Sequence, residues 1–369
     1  MYEIHSIDEL EAHHAQHGSL NCVVLQGVDF SDGLERACAL SWEGATVLGG
    51  ILPVDLQTRM LSTGAVVFPR PDGLPFKPYR PSLYTLDELM DGYRTGDDSS
   101  LTDTVDYQIY EFAQTLRGSE MPSVVDGLLQ RIHDHAIDDA VADFVTQHPR
   151  VVAVMGGHAL HRNEATYRSV VQLGRQLALS GYLVTTGGGP GAMEAANLGA
   201  WLSAHDEASV DDAVRILAPA TDFRTAAYLD RGYEVRERYP NGTDSLAIPT
   251  WFYGHEPTNQ FASHVAKYFS NSIREDGLLA LANHGVVFTP GSAGTVQEVF
   301  QDATQNHYGT FELTSPMVFL NADFWTNDLP VKSLITKLAG DRAYANLIAF
   351  VNTPEEVLDF LSENPPVKS

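Results

Sequence analysis

The stretch Gly285–Thr289, with the sequence GVVFT, is followed at 290–298 by PGSAGTVQE. A short apolar run that ends in a glycine-containing turn and continues with helical spacing is typical of a buried β-strand leading into an α-helix. Glycines let the backbone turn sharply and bring several N–H groups close to one point. The helix N-terminus adds about half a positive charge at the same place. The stretch therefore predicts a strand, a loop and a helix that together bind an anion such as phosphate.

A second stretch upstream has the same arrangement. The run YLVTT at Tyr182–Thr186 leads into GGGPG at 187–191, and AMEAANLGAWLSA then begins a helix. The spacing is not the G-x-G-x-x-G pattern of dinucleotide sites, and neither is the turn after the run VVAVM at Val151–Met155. These loops therefore disfavour a nicotinamide-dependent dehydrogenase, and either one alone is also compatible with a turn whose glycines serve packing only.

The rest of the second half alternates short apolar runs with helical patterns. Further strands are predicted at Ser245–Trp251, Met317–Leu320 and Leu347–Val351, and helices at Thr166–Ser180, 262–282, 295–307, 331–339 and from Thr353. Such alternation indicates βαβ units. The fold class predicted is α/β, a Rossmann-like parallel sheet with helices on both faces, which binds ligands at the carboxyl ends of its strands.

The first part of the chain predicts a smaller α/β unit. Strands are expected at Cys22–Phe30, Ala45–Leu52 and Ala65–Phe68, around a helix at 33–40. Helical patterns then dominate from Leu101 to Gln147, broken at Gly118 and Pro122. We place the boundary so that residues 1–148 form an N-terminal α/β and helical domain and residues 149–369 form the Rossmann-like domain that carries both glycine stretches. The role of the first domain stays open, and residues 204–244 read as a polar insertion of uncertain order.

Composition limits the partners. The chain has 369 residues, and its 23 basic and 48 acidic side chains give a formal net charge of −25. No basic cluster is present to neutralise the phosphates of a nucleic acid polymer, whereas a small phosphorylated metabolite is compatible with a locally positive pocket. No run approaches the roughly 18 apolar residues that a membrane helix needs. Two cysteines and an N-terminal stretch unlike a signal peptide favour a cytoplasmic protein that does not bind membranes.

The two glycine stretches together carry a family resemblance. GGGPGAMEAANLGA followed by PGSAGTVQE resembles the LONELY GUY family, whose hallmark is P-G-G-x-G-T-x-x-E. The resemblance covers about 150–330, and the long N-terminal extension is similar to that of the longer bacterial members. It implies a phosphoribohydrolase that hydrolyses the N-glycosidic bond of nucleoside 5′-monophosphates, either AMP or a cytokinin riboside 5′-monophosphate, to free base and ribose 5-phosphate. It also implies a homodimer or a multiple of one.

The resemblance assigns residues to this site. Arg274 and Glu298 match the catalytic arginine and glutamate of the family, while Glu256 and Thr304 match ligand-binding positions. The expected substrate-binding residues are these two and the members of both glycine stretches, together with His158 after the first strand: Gly187, Gly188, Gly189, Gly191, Met193, Glu256, Gly291, Ser292, Ala293, Gly294, Thr295, Thr304 and His158.

The chemistry of these residue types is consistent with glycoside cleavage. The transition state resembles an oxocarbenium ion, which a carboxylate such as that of Glu298 stabilises. Arg274 binds either the phosphate or the leaving base, and either Glu298 or Glu256 positions the attacking water. Neither a metal nor a cofactor is expected. The alternative is a nucleotide-binding regulatory or carrier protein that kept the phosphate site and hydrolyses nothing.

Three positions depart from the family pattern. Ser292 replaces the second glycine of the hallmark, Glu275 replaces a basic residue after Arg274, and Gln297 replaces a glutamate before Glu298. Several other side chains are weaker candidates. We expect His13 with His17, and His133 with His135, to be solvated surface residues, since a zinc site needs three or four ligands. Arg162 and the aromatic run Trp251–Tyr253 are compatible with either ligand contact or structural packing.

Overall fold

The computed structural model describes residues 2–115 and 123–368. The chain divides into two compact units. The first comprises Met1–Leu83 with Gln114–Val141, and the second comprises Tyr84–Ala113 with Ala142–Ser369. Residues 84–113 belong to the second unit, and the boundary at 148/149 stays a prediction. The predicted helix breaks at Gly118 and Pro122 lie outside the described residues.

The elements up to residue 146 include the predicted small α/β unit. In chain order they are β1 (Tyr2–Ile4), α1 (Ile7–His17), β2 (Val23–Gln26), α2 (Leu34–Cys38), β3 (Thr46–Leu48), α3 (Val54–Ser62), β4 (Val66–Phe68), α4 (Leu86–Leu89), a 3₁₀ turn at Asp98–Asp103, α5 (Val105–Thr115) and α6 (Val124–Thr146). Strands β1 to β4 form a parallel sheet in that order. The three predicted strands and the helix at 33–40 are confirmed, while β1, α1 and α3 were not predicted.

The remaining elements form a second, larger sheet with its helices and, from the tenth and the last strands, a separate antiparallel pair. They are β5 (Val151–Met155), α7 (Ala165–Leu179), β6 (Leu183–Thr186), α8 (Ala192–Leu202), α9 (Ala208–Leu217), α10 (Tyr228–Arg238), β7 (Ser245–Ala247), β8 (His264–Val265), α11 (Asn271–Leu281), β9 (Val286–Phe288), α12 (Ala293–Tyr308), β10 (Leu313–Thr314), β11 (Met317–Leu320), a π turn at Phe324–Asp328, α13 (Val331–Ala339), a 3₁₀ turn at Ala343–Leu347, β12 (Ile348–Val351), α14 (Pro354–Glu363) and β13 (Val367–Lys368).

The second sheet is parallel, with the strand order β12-β11-β9-β5-β6-β7-β8. One group of helices, α7, α8, α9 and α14, packs together, and α11, α12 and α13 form another. The predicted α/β class with a Rossmann-like parallel sheet flanked by helices is confirmed. The chain adds β6, β7 and β8 on one side of β5, then β9, β11 and β12 on the other. The order reverses between β5 and β9, which is where such sheets bind ligands.

Burial explains the apolar runs. Every residue of β5 is buried, as expected for a parallel strand covered on both faces. Helix α8 is buried along almost its whole length. Its glycine lets it approach α7, because a Cβ at Gly199 would lie 1.9 Å from the carbonyl oxygen of Val171.

One prediction in this half was wrong. The stretch 262–282 is not one helix: β8 pairs with β7 as the edge strand, and the helix begins only at Asn271. The β-branched and aromatic residues of 261–269 fit an extended strand better than a helix. Residues 204–244, whose order the sequence left open, contain α9 and α10, which bury Ile216 and Val235.

Candidate functional site

A cavity of about 550 Å³ opens at the carboxyl ends of β5, β6 and β9. Its lining includes the turns after these strands and the irregular chain around residues 249–258. Twelve of the residues expected from the sequence contribute to it: Gly187, Gly188, Gly189, Met193, Glu256, Arg274, Ser292, Ala293, Gly294, Thr295, Glu298 and His158. The two glycine stretches therefore meet at one place, although the 98 residues 192–289 separate them in the chain.

The first glycine loop brings two charged side chains close to the backbone. A Cβ at Gly187 would lie 2.7 Å from Nη2 of Arg274, and one at Gly189 would lie 2.8 Å from Oε2 of Glu256. Any larger residue would displace these groups. The glycines thus serve the close approach of Arg274 and Glu256 as well as the turn itself.

The second loop presents the start of α12 to the cavity. Ser292 precedes the helix, and its side chain makes no capping hydrogen bond to the first turn. The first backbone N–H groups of a helix have no intrahelical acceptor. Those of Ala293, Gly294 and Thr295 border the cavity and are available to an anion.

Arg274 is held by backbone carbonyls at the cavity wall. Its Nε donates to the carbonyl oxygen of Ile248 at 2.8 Å, and its Nη2 donates to that of Gly187 at 3.2 Å. Its Nη1 lies 3.8 Å from Oε1 of Glu275 and 3.9 Å from Oε1 of Glu298. The guanidinium is therefore fixed in orientation, with one nitrogen directed toward the two carboxylates.

Glu298 faces Arg274 inside the cavity rather than bulk solvent. Its side chain is 12% exposed. Burial raises the pKa of Glu298 to about 7, an effect that Arg274 opposes and Glu275 reinforces. The carboxyl group thus changes its charge near neutral pH and responds to any charge that a ligand brings.

Two of the three departures from the family pattern contact each other. Nε2 of Gln297 donates to Oε2 of Glu275 at 2.6 Å. The family that this chain resembles has a basic residue and a glutamate at these two positions, where this chain has Glu275 and Gln297. The substitutions form one hydrogen-bonded pair at the edge of the cavity, and they leave a negative charge next to Arg274.

Three of the expected site residues lie away from the cavity lining. Thr304 is exposed on α12 and donates its hydroxyl to the carbonyl oxygen of Phe300 at 2.6 Å, so the structure does not bring it to the ligand position. Gly291 and Gly191 pack against neighbouring chain: a Cβ at Gly291 would lie 2.2 Å from Oγ1 of Thr295, and one at Gly191 would lie 2.5 Å from the carbonyl oxygen of Gly157.

Arg162 has a structural partner. Its guanidinium makes two hydrogen bonds, of 2.8 and 2.7 Å, to the carboxylate of Glu194, and both side chains are buried. Tyr167 and Tyr228 donate to the same carboxylate. Burial opposes ionisation of Glu194, but the Arg162 guanidinium and these donors keep its pKa below the ordinary value. The network joins the turn after β5 to α7, α8 and α10.

The histidine pairs have different outcomes. His13 and His17 stack on each other with ring centroids 4.5 Å apart, and His135 is exposed. His133 is fully buried and lies 3.2 Å from Asp134, so its expected surface position was wrong.

Within residues 2–115 and 123–368, no group of three or more His, Cys, Asp or Glu side chains is arranged to hold a metal ion. No helix of this part of the chain combines the length and apolar character needed to cross a membrane.

Sequence reasoning missed part of the lining. Thr258 and Lys267 border the cavity, and neither lies in a motif. Of the aromatic run, Trp251 is buried, whereas Tyr253 is exposed and borders the cavity. The strand-end position of this run was the only signal available.

Comparisons with known proteins match part of the chain. Residues 149–205 match the model of the SLOG cluster4 family. The SLOG cluster4 match runs from β5 to the end of α8, so it includes the first glycine loop and ends before α12. A comparison with curated protein sequences gave no significant match.

Solved structures of low similarity also match. The molybdenum cofactor binding protein of Rippkaea orientalis has 18% identity and a TM-score of 0.37, covering 58% of this chain and 96% of its own. The molybdenum cofactor carrier protein of Chlamydomonas reinhardtii has 16% identity and a TM-score of 0.35, covering 58% and 99%.

Proposed function

We propose that this protein is a nucleoside 5′-monophosphate phosphoribohydrolase, which cleaves the N-glycosidic bond with water. One observation carries the proposal. Arg274 and Glu298 face each other at 3.9 Å in a cavity that both glycine loops also line. This arrangement places an anion-binding backbone, a cation and a carboxyl group within reach of one small sugar phosphate.

The phosphate of the nucleotide binds at the start of α12 in this proposal. The exposed amides of Ala293 and Gly294 and the hydroxyl of Thr295 donate to its oxygens, and the helix dipole favours its negative charge. Ser292 adds a hydroxyl donor at a position where the family hallmark has glycine. The overall charge of −25 does not prevent this binding, because charges more than about 8 Å away are screened at physiological salt.

Glu298 stabilises the positive charge that develops on the sugar as the bond to the base breaks. A pair of unit charges about 4 Å apart in an effective dielectric of about 20 interacts by about 4 kcal/mol. That energy corresponds to roughly a thousandfold in rate, since about 1.4 kcal/mol is tenfold. The role requires the ionised carboxylate, which Arg274 favours and burial disfavours.

Arg274 acts on Glu298 and on the ligand from a fixed position. Two of its nitrogens are bonded to backbone carbonyls, so only small movements are open to the guanidinium. Its Nη1, which faces the cavity, favours the ionised form of Glu298 against the effect of burial and donates to an oxygen or nitrogen of the nucleotide. Glu256, which lies against Gly189 of the first glycine loop, positions the attacking water.

The second candidate function is a carrier or regulatory protein that binds a nucleotide and leaves it intact. Glu275 favours this candidate, because its carboxylate lies beside Arg274 at a position where the resembling family has a cation. The negative charge reduces the capacity of Arg274 to assist a leaving group. Both candidates use the same anion site, so binding alone does not separate them.

The test is a panel of purified nucleoside 5′-monophosphates incubated with the full chain, with free base and ribose 5-phosphate quantified by mass spectrometry. The expected result is equimolar release of both products from at least one purine nucleotide. Binding of a nucleotide without release of either product would support the carrier candidate. The homodimer stays a prediction, and light scattering in solution checks it.

A further inference from the structure

Asp106 lies in α5, outside the range of the family resemblance, and its carboxylate is fully buried. Three side chains donate to it: the indole Nε1 of Trp251 at 2.8 Å, the hydroxyl of Thr258 at 2.9 Å, and Nζ of Lys267 at 2.7 and 2.9 Å to its two oxygens. Nε2 of His255 lies 3.3 Å from one of those oxygens. One carboxylate therefore gathers four side chains that follow it by about 145 to 161 residues.

All four partners belong to the segment 251–267, which we call the anchored wall. This segment also supplies Tyr253, Glu256 and Pro257 to the cavity lining. Between Trp251 and Ser263 it contains neither helix nor strand. A segment without a backbone ladder depends on side-chain partners for its conformation, and Asp106 is the partner that its side chains share.

The charges of this cluster are matched. Burial opposes ionisation of Asp106, but Lys267 and His255 hold its pKa well below the ordinary value. The carboxylate therefore stays ionised. Its negative charge balances the positive charge of Lys267, which borders the cavity. A buried ion pair that loses one partner leaves the other uncompensated, which is strongly unfavourable.

The start of the segment that carries α5 also contacts the anchored wall. Tyr84 exchanges two hydrogen bonds of 2.9 Å with Val265, next to Lys267. The ring of Tyr84 also packs edge-on against Trp251, with centroids 5.9 Å apart. The segment 84–113 is thus joined to the same part of the chain by backbone and side-chain contacts.

We propose that Asp106 is a positioning residue of the ligand cavity: it fixes the anchored wall, and with it the places of Glu256 and Lys267. The inference rests on the proposed function only in naming the ligand as a nucleotide. It extends the site beyond the resemblance, to a residue in the part of the chain whose role was not readable from the sequence.

The test compares the full-length variant Asp106→Asn with the wild type. Asparagine keeps the shape and removes the charge. Asp103→Asn is the matched control, because Asp103 lies just before α5 and pairs with Arg94 at the surface. Hydrogen exchange is followed by mass spectrometry, and AMP binding by calorimetry. In Asp106→Asn we expect exchange in 252–260 to rise about tenfold or more, with no change in β5 and β6, and the Kd for AMP to rise about tenfold. Asp103→Asn stays within about twofold of the wild type in both measurements.

Unchanged exchange in 252–260 in a folded Asp106→Asn protein would overturn the proposal. A uniform rise across β5 and β6 would do the same, because it would indicate a general contribution to stability. If Asp106→Asn does not fold, the exchange measurement is repeated on Thr258→Val, which removes one contact to Asp106 with little change of shape. A smaller rise of hydrogen exchange in 252–260 of Thr258→Val supports the proposal, and unchanged exchange there contradicts it. The exchange measurement needs no nucleotide, so a failure of the proposed function is distinguishable from a failure of this inference.

Discussion

The cavity has two walls that are built in different ways. The glycine-loop wall, residues 187–189 and 292–295, consists of strand-to-helix turns whose geometry follows from nearby sequence. The anchored wall has no regular structure over most of its length, and a carboxylate far away in sequence holds it. A local motif is therefore sufficient to form the part of the cavity that we propose to bind the anion. The part that borders the rest of the ligand depends on tertiary contacts that no local motif records.

The largest effect is expected from Glu298→Ala, at the helix that starts in the glycine-loop wall. Loss of the carboxylate removes the charge that stabilises the transition state, so kcat/KM for AMP falls by about a thousandfold while Kd changes by less than about tenfold. Steady-state kinetics and calorimetry check the two quantities. Glu363→Ala, an exposed glutamate at the end of α14, is the control with unchanged kinetics. Undiminished turnover in Glu298→Ala would show that the glycine-loop wall does not carry the chemistry.

The second effect concerns stability and follows from the raised pKa of Glu298. Its pKa of about 7 lies above the ordinary 4.5, so the folded state binds the proton more tightly than the unfolded chain. The stabilisation is complete below pH 4.5 and is lost as the pH rises through 7. Glu298→Gln has no ionisable carboxyl group at this position, so it does not lose this stabilisation as the pH rises. Its free energy of unfolding relative to the wild type therefore increases by about 2 kcal/mol from pH 5 to pH 8. Urea unfolding at both pH values measures this, and an equal difference at both would contradict the assignment.

The third effect tests whether the two walls must approach closely. In Gly189→Ala the new Cβ would lie 2.8 Å from both Oε2 of Glu256 and Cε of Met193. Both atoms end flexible side chains, so the fold adapts while Glu256 moves. We expect KM for AMP to rise about tenfold with little change in thermal stability. Gly277→Ala is the control, because a Cβ there meets nothing within 4 Å. If Gly189→Ala has the same KM for AMP as the wild type, the contact between the walls has no role in substrate binding.

The smallest effect is expected from Glu275→Gln. Glu275 raises the pKa of Glu298, so its neutralisation lowers that pKa. In the proposed mechanism Glu298 acts as the ionised carboxylate, so we expect kcat/KM to rise with pH through about 7 in the wild type and about half a pH unit lower in the variant. Asp276→Asn, at the exposed neighbouring position, leaves the profile unchanged. An activity that falls over this pH range would instead assign Glu298 as a general acid.

The sequence was sufficient for the sheet and for most of the glycine-loop wall. Strands such as VVAVM are buried on both faces, and their apolar runs are unmistakable. The strand β8 was missed because two residues at a sheet edge give no periodic signal. Thr304 does not line the cavity, because a motif spacing sets a position along α12 but not its distance from the cavity. Asp106 was not identifiable, since its partners are defined only by the folded chain.

The most direct measurement of the central claim is the amount of adenine and ribose 5-phosphate released from AMP, in parallel by the wild type and by Glu298→Gln. The account predicts equal amounts of the two products from the wild type and a loss of about a thousandfold in their rate of formation by the variant, with AMP still bound by both. Intact AMP recovered from a wild-type protein that binds it, or equal release by both proteins, would contradict the claim that the cavity around Glu298 and Arg274 hydrolyses nucleotides.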